Sequence, residues 1–84
     1  PPSLREDRAH AVRSPDGEVH ARRVGLTVLF HGTTFEVDSE MLAPPMSIGV
    51  YFGESPAATS VASADILAFL IEALAFQGFD VQLL

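Results

Sequence analysis

The chain has 84 residues, 48% of them hydrophobic, and a formal net charge of −6. This length allows one small domain, and the hydrophobic content excludes a disordered chain. The absence of cysteine excludes disulfides and thiolate metal sites and fits a cytoplasmic location, and no apolar run approaches the roughly 20 residues that span a bilayer.

The charges are distributed unevenly along the chain. All basic residues are arginines within the first 23 positions, namely Arg5, Arg8, Arg13, Arg22 and Arg23. In the remainder of the chain, the Asp, Glu, Lys and Arg residues are all acidic, namely Glu36, Asp38, Glu40, Glu54, Asp65, Glu72 and Asp80. A nucleic-acid-binding surface needs clustered positive charge, so we exclude that class of partner.

The first part of the chain predicts an arm followed by strands. Residues 1–17 are polar with prolines near both ends, which predicts a flexible arm that ends in a turn over residues 14–17. A single folded domain is then expected over residues 18–84. Residues 18–30 are predicted as one strand, with Gly25 as a bulge or kink and one apolar face formed by Val24, Leu26, Val28 and Phe30.

Residues 35–38 alternate apolar and acidic side chains, which predicts the second strand of a hairpin with one solvated face. Glu36, Asp38 and Glu40 are typical of a strand edge that resists aggregation.

The second half of the chain predicts a βαβ unit. Residues 47–52 are predicted as a buried strand, residues 56–77 as a helix with Ser55 as its N-cap, and residues 79–84 as a final strand after Gly78. The predicted fold is therefore α/β, a two-layer sandwich in which a β-hairpin precedes the βαβ unit. One long helix would pack on a sheet of about four strands.

The predicted helix has two apolar stripes. Leu67, Leu70, Ile71 and Leu74 form the stripe expected to pack on the sheet. A second stripe consists of Ile66, Phe69, Ala73 and Phe76, which leaves a narrow polar seam marked by Asp65 and Glu72. Either the N-terminal segment covers the second stripe, or a protein partner or second copy does. We favour the partner, and predict these four residues as the partner-binding surface of a homodimer or hetero-complex.

The corner formed by Gly53, Glu54 and Ser55 follows a predicted strand and precedes a predicted helix, which is where βαβ units bind anions. The corner has one glycine where the dinucleotide-binding motif has three, and no Walker lysine. The alternative to a weak anion site at Gly53 and Ser55 is an ordinary capped helix start.

The segment YFGESPAATSVASADIL resembles the first βα unit of D-alanine–D-alanine ligases, which have a strand, Phe-Gly-Gly, a loop with serine and glutamate, and a Ser-Ala helix start. Phe52, Gly53 and the pair Ser63-Ala64 match. Glu54 replaces the second glycine, the loop is about two residues shorter than in the family, and its glutamate is missing. The resemblance implies a nucleotide- or amino-acid-binding unit, and no catalytic role is transferred.

Other patterns give no catalytic or metal site. The three histidines, His10, His20 and His31, lack carboxylates at ligand spacing, although His20 and His31 can approach each other across sheet edges. No serine lies in a nucleophile-elbow motif. We therefore predict no metal, no cofactor and no enzymatic activity.

These observations predict a small acidic protein-interaction or oligomerisation module without nucleic-acid or membrane partners. Two alternatives remain open: a fragment or miniature of a nucleotide- or amino-acid-binding βαβ domain, and an acidic inhibitor of a basic partner.

Overall fold

The computed structural model describes residues 5–6, 11–22, 25–42 and 46–84, with the side chains of residues 5, 6 and 22 left out. This part of the chain forms strands in two sheets, one α-helix and two 3₁₀ helices. The strands are β1 Arg5–Glu6, β2 Ala11–Ser14, β3 Gly17–Arg22, β4 Gly25–Phe30, β5 Thr33–Val37, β6 Ser39–Leu42, β7 Ser47–Val50 and β8 Asp80–Leu83. The 3₁₀ helices are Phe52–Glu54 and Pro56–Thr59, and the α-helix α1 is Ser63–Phe76.

The first sheet is an antiparallel meander in the order β1-β2-β3-β4-β5. Its register aligns Val12 with Val19, Val19 with Val28, and Val28 with Phe35. Because side chains alternate along a strand, this row lies on one face. That face is the core side of the sheet, where the three valines are fully buried.

Two short turns of this meander lie next to each other. Pro15 and Asp16 connect β2 to β3, as the predicted turn over residues 14–17 requires. His31 and Gly32 connect β4 to β5 with φ angles of 46° and 85°. Positive φ at both central residues is the requirement of a type I′ hairpin turn.

The predicted strand over residues 18–30 is in fact the hairpin β3–β4, in which Arg22 pairs with Gly25. Gly25 has a φ of 116°, which glycine adopts without steric cost. It is the first residue of β4 and is not a kink within one strand. The predicted hairpin of residues 18–30 with residues 35–38 is confirmed only for the second part of that segment, because β4 pairs with β5.

The second sheet has the order β6-β7-β8. β6 is antiparallel to β7, and β7 is parallel to β8 with α1 between them in sequence. This parallel pairing is the predicted βαβ unit. Beside it, the Tyr51 hydroxyl donates a hydrogen bond to the Glu40 carboxylate, which raises the pKa of Tyr51 above its ordinary value.

The helix starts seven residues later than predicted, at Ser63 instead of Pro56. Hydroxyl groups in the preceding segment bond to nearby backbone: Ser55 donates to the Phe52 carbonyl at 2.6 Å, and Thr59 to the Pro56 carbonyl at 2.9 Å. Such local bonds stabilise short turns in competition with a continuous helix. The segment therefore forms two 3₁₀ helices before α1 begins.

The helix is buried over a broad face formed by Ile66, Phe69, Leu70, Ala73 and Leu74. It contacts β2 and β3 of the first sheet and β8 of the second. The apolar surface on two sides of the helix is thus covered from within the chain, by two different sheets.

The N-terminal segment contributes to this cover. Residues 11–14 form β2, and Ala11 and Val12 have no exposed surface. The predicted flexible arm therefore does not include these residues, because Val12 completes the valine row beneath α1; residues 1–4 and 7–10 lie outside the described part.

The fold combines α and β elements as predicted, but with strands in two sheets in place of one sheet of about four strands. In the described residues, no helix is both long enough and apolar enough to cross a membrane.

Candidate functional site: an acidic cleft beside the helix

A cleft of about 330 Å³ lies between α1 and the two adjacent turns of the first sheet. Its walls combine acidic, aromatic and imidazole side chains: Asp16, Phe30, His31, Asp65, Ala68, Phe69 and Glu72. Three elements that are distant in sequence thus meet at one concave surface.

The helix wall is one face of α1. Asp65, Ala68, Phe69 and Glu72 follow the spacing i, i+3, i+4 and i+7, which places them on one side of a helix. Asp65 and Glu72 are exposed and lie about 10 Å apart along the axis, at 1.5 Å per residue. Ala68 lies between them, and its small side chain leaves the space that the cleft occupies.

The opposite wall consists of the two turns, which are joined to each other. The His31 backbone N–H donates to the Asp16 carbonyl at 2.9 Å. The His31 Nε2 atom lies 3.4 Å from the Asp16 Oδ1 atom, so these side chains form an ion pair when the histidine is protonated. Asp16 therefore presents a carboxylate to the cleft from a position held by two contacts.

The aromatic rings pack closely along the cleft. Phe30 and Phe69 have ring centroids 5.6 Å apart, and Phe30 meets the His31 ring edge-on with centroids 4.4 Å apart. Phe69 is 6% exposed, so it is a core residue that also lines the cleft. A smaller hollow of about 160 Å³ shares Phe30 and His31 and reaches Ser60 and Ala62.

This lining favours a positively charged group. Three carboxylates surround the cleft, and the described residues that line it include no arginine or lysine. Aromatic faces and carboxylates together suit a guanidinium or ammonium group. Among the described residues, no cluster of three or more His, Asp or Glu side chains is arranged to hold a metal ion.

Of the four residues predicted to bind a partner, three are buried and one is exposed. Ile66, Phe69 and Ala73 are at most 6% exposed and belong to the core, whereas Phe76 is 51% exposed. Ile66 and Ala73 are covered by the chain's own sheets, and only the small part of Phe69 that lines the cleft is open to a partner. Phe76 alone of the four has a largely open side chain.

The predicted anion corner is not at the start of α1. Ser55 is 8% exposed, and its hydroxyl donates to the Phe52 carbonyl. The α-helix begins only at Ser63, after both 3₁₀ helices. Gly53 is exposed with open space around it, but the helix N-terminus that would attract an anion starts ten residues later.

The two described histidines have different partners. His20 Nε2 lies 2.9 Å from Glu18, which also binds Arg13 at 3.0 Å, whereas His31 lies beside Asp16. The sequence allowed His20 and His31 to approach each other, but the structure places them in two separate histidine–carboxylate pairs.

Asp65 and Glu72 were predicted as a polar seam of the helix, but the cleft beside them was not predicted. The spacing of Asp65, Ala68 and Glu72 was visible, and it marks a helix face with a small residue between two acids. The opposing Asp16 and His31 were not predictable, since their position depends on the meander that brings the two turns together.

No protein-family model, curated protein or solved structure matches the chain.

Proposed function

We propose that the chain is a small acidic protein-binding module that holds an arginine side chain of a basic partner in the cleft beside α1. The observation that carries this proposal is the combination of three carboxylates with two phenylalanine rings in one concave surface, whose described lining residues include no arginine or lysine. Arginine pairs with carboxylates through a planar fork of donors and stacks on aromatic rings, so it matches both features.

The spacing of the acids indicates the form of the partner segment. Asp65 and Glu72 are about 10 Å apart along the helix axis. In a polyproline II helix, residues three apart lie on the same face and about 9 Å apart. A segment with the pattern Arg-x-x-Arg in this conformation places one guanidinium near each acid.

A labelled Arg-Pro-Pro-Arg peptide tests the proposal by fluorescence anisotropy, with Glu-Pro-Pro-Glu as the negative peptide. The expected result is saturable binding of the first peptide only, weakened by salt because the contacts are charged. Absence of binding at millimolar concentrations would reject this partner chemistry.

Two variants with matched controls locate the binding site. Ala68→Leu fills the cleft at an exposed helical position without changing the net charge, and leucine has nearly the helix propensity of alanine. We expect it to abolish binding, whereas Ala75→Leu on an exposed helix position outside the cleft lining leaves binding unchanged.

The double substitution Asp65→Asn with Glu72→Gln removes two charges from the cleft. We expect affinity to fall about tenfold, or about 1.4 kcal/mol. The control, Glu54→Gln with Asp80→Asn, removes the same charge from exposed positions outside the cleft. Equal losses in the two double variants would indicate nonspecific attraction to an acidic protein and contradict a defined site.

A second candidate function is a nucleotide- or amino-acid-binding βαβ unit. It is favoured by the parallel pairing of β7 and β8 and by the start of α1 at Ser63-Ala64, the pair that matches the D-alanine–D-alanine ligase pattern. Thermal unfolding with Mg-ATP or D-alanine tests it: this candidate requires a concentration-dependent rise in Tm. An unchanged Tm would leave the cleft proposal as the better one.

A further inference from the structure

The outer edge of β8 is a second surface with a defined chemistry. In the described part of the chain, β8 pairs only with β7. The Asp80 N–H donates to the Met46 carbonyl at 2.7 Å, and the Leu84 N–H donates to the Val50 carbonyl at 2.9 Å. Because successive residues of a strand direct their backbone groups to opposite sides, the N–H and C=O groups of Val81 and Leu83 point away from β7.

The other edges with described side chains differ from β8. β5 has Glu36 along its length and contacts the 3₁₀ helix at residues 56–59, and β6 has Glu40 within its four residues. Charged side chains and covering elements oppose the addition of another strand. The only charged residue of β8 is Asp80, at the first position of the strand. Leu83, the last residue of the strand, is 52% exposed.

We propose that β8 pairs with β8 of a second copy of this chain, in antiparallel orientation about a twofold axis at Gln82. The two chains then exchange backbone hydrogen bonds between Val81 of one copy and Leu83 of the other, twice over. The occupant is a second copy because a twofold axis makes one edge complementary to itself, and every outward-facing group of Val81 and Leu83 finds a partner. The two sheets of β6, β7 and β8 join into one continuous sheet.

The charge pattern determines the orientation. In this register Asp80 lies opposite Leu84, and the two Asp80 residues are about 13 Å apart along the strands. Parallel pairing would set Asp80 against Asp80, and like charges directly opposite each other destabilise a strand pair. The antiparallel register about Gln82 therefore keeps the two Asp80 carboxylates apart.

The side chains support the same pairing. The register of the second sheet places Leu83 and Val81 on the face that carries Val50 and Ile48. In the dimer, Leu83 of each copy lies beside Val81 of the other on this face. The exposed surface of Leu83 is thereby removed from water.

Analytical ultracentrifugation over a wide concentration range tests the association. The expected result is a reversible change from the 9.0 kDa monomer to a species of twice that mass. Amide hydrogen exchange of the same protein locates the contact. The Val81 and Leu83 amides become protected as concentration rises, whereas the Asp80 amide is protected throughout. A wild type that stays monomeric, or Val81 and Leu83 amides with the same exchange rate at all concentrations, would overturn the proposal.

Leu83→Lys and Met41→Lys form a matched pair of variants. Both residues lie on the same face of the second sheet, on its two opposite edge strands, and they are 52% and 58% exposed. Each variant adds one positive charge. We expect Leu83→Lys to be a folded monomer and Met41→Lys to dimerise like the wild type, and equal behaviour of the two variants would contradict the β8 interface.

Val81→Pro tests the β8 interface independently of the lysine variants. Proline removes the outward N–H of residue 81 and leaves the hydrogen bonds to β7 in place. A folded monomer is expected, and a folded dimer would overturn the proposal. If this variant does not fold, the lysine pair and the amide exchange decide.

The interface is separate from the acidic cleft, because none of its residues lines that cleft. Salt distinguishes the two: it screens the repulsion between two chains with a net charge of −6 and strengthens the dimer, whereas it weakens binding of the arginine peptide. Leu83→Lys should leave peptide binding within twofold of the wild type, so either proposal can fail alone.

Discussion

Gly17 and Gly49 both lie in strands at positions where a β-carbon would collide with a neighbour. At Gly17 the neighbour is the backbone carbonyl of Leu29, which cannot move without distorting the pairing of β3 with β4. At Gly49 the nearest atoms belong to the side chain of Leu84, which is 54% exposed and free to rotate. Glycine is therefore required at position 17, where backbone opposes a β-carbon, whereas at position 49 only the ends of side chains oppose it.

We expect Gly17→Ala to lower the free energy of unfolding by about 1–3 kcal/mol, the usual cost of overpacking. Gly49→Ala should cost less than about 1 kcal/mol, because Leu84 can turn away and alanine is favoured over glycine in a strand. Urea unfolding followed by circular dichroism measures both values. Equal costs would show that the Leu29 carbonyl yields as easily as the Leu84 side chain.

The two apolar stripes of α1 are parts of one broad buried face. Leu70 and Leu74 come from the first stripe and Ile66, Phe69 and Ala73 from the second, and all are buried. Leu67 and Ile71 of the first stripe are only partly buried. The helix thus faces the core along the boundary between the stripes, with a sheet on either side of that line.

Phe69 and Phe76 provide a direct test of this orientation. Phe69→Ala should cost about 3–5 kcal/mol, the range for a buried phenylalanine. Phe76→Ala should cost less than about 1 kcal/mol, because Phe76 is 51% exposed in the same helix. Denaturant unfolding at low protein concentration gives both values, and a larger cost at Phe76 would mean that the helix is rotated relative to the structure described here.

The sequence contains an indication of the hairpin β3–β4, namely a shift between odd and even core-facing positions. The core-facing positions are odd in β3, at Val19 and Ala21, and even in β4, at Leu26 and Val28. This change of phase cannot occur within one regular strand, because side chains alternate with a period of two. Together with Gly25, it indicates two strands, β3 ending at Arg22 and β4 beginning at Gly25.

Strand β2 of the first sheet packs against α1, the helix that lies between β7 and β8 in sequence. Its Val12 is fully buried and continues the valine row beneath α1, and β2 contacts that helix. In a chain of 84 residues the core is small, so the loss of one strand removes a large share of it.

We expect deletion of residues 1–13 to abolish cooperative thermal unfolding, since it exposes Val19 and one side of α1. Val12→Ala should have a smaller effect of about 2 kcal/mol, from the lost methyl groups and the remaining cavity. Val61→Ala is the control, because Val61 is fully exposed. A deletion variant with an unchanged Tm would show that β2 is not needed for the core.

Local sequence patterns were sufficient to predict several elements of the fold. The alternation within residues 18–30 and 35–38 predicted a hairpin, which β4 and β5 form. The proline and glycine of residues 14–17 predicted the turn between β2 and β3, and the order of strand, helix and strand predicted the βαβ unit in which β7 and β8 are parallel. Each of these features depends on neighbours within a few residues, or on the general rule for βαβ connections, and no distant contact is needed to infer them.

Only the tertiary structure decided which elements bury the apolar surface of α1 and which residues line the cleft. An apolar stripe on a helix indicates that something covers it, but the hydrophobic effect has no direction and does not identify the partner. Here the meander of residues 11–37 supplies that cover. The same folding brings Asp16 and His31 opposite Asp65 and Glu72, residues separated by more than 30 positions, because the pairing of β3 with β4 aligns their turns.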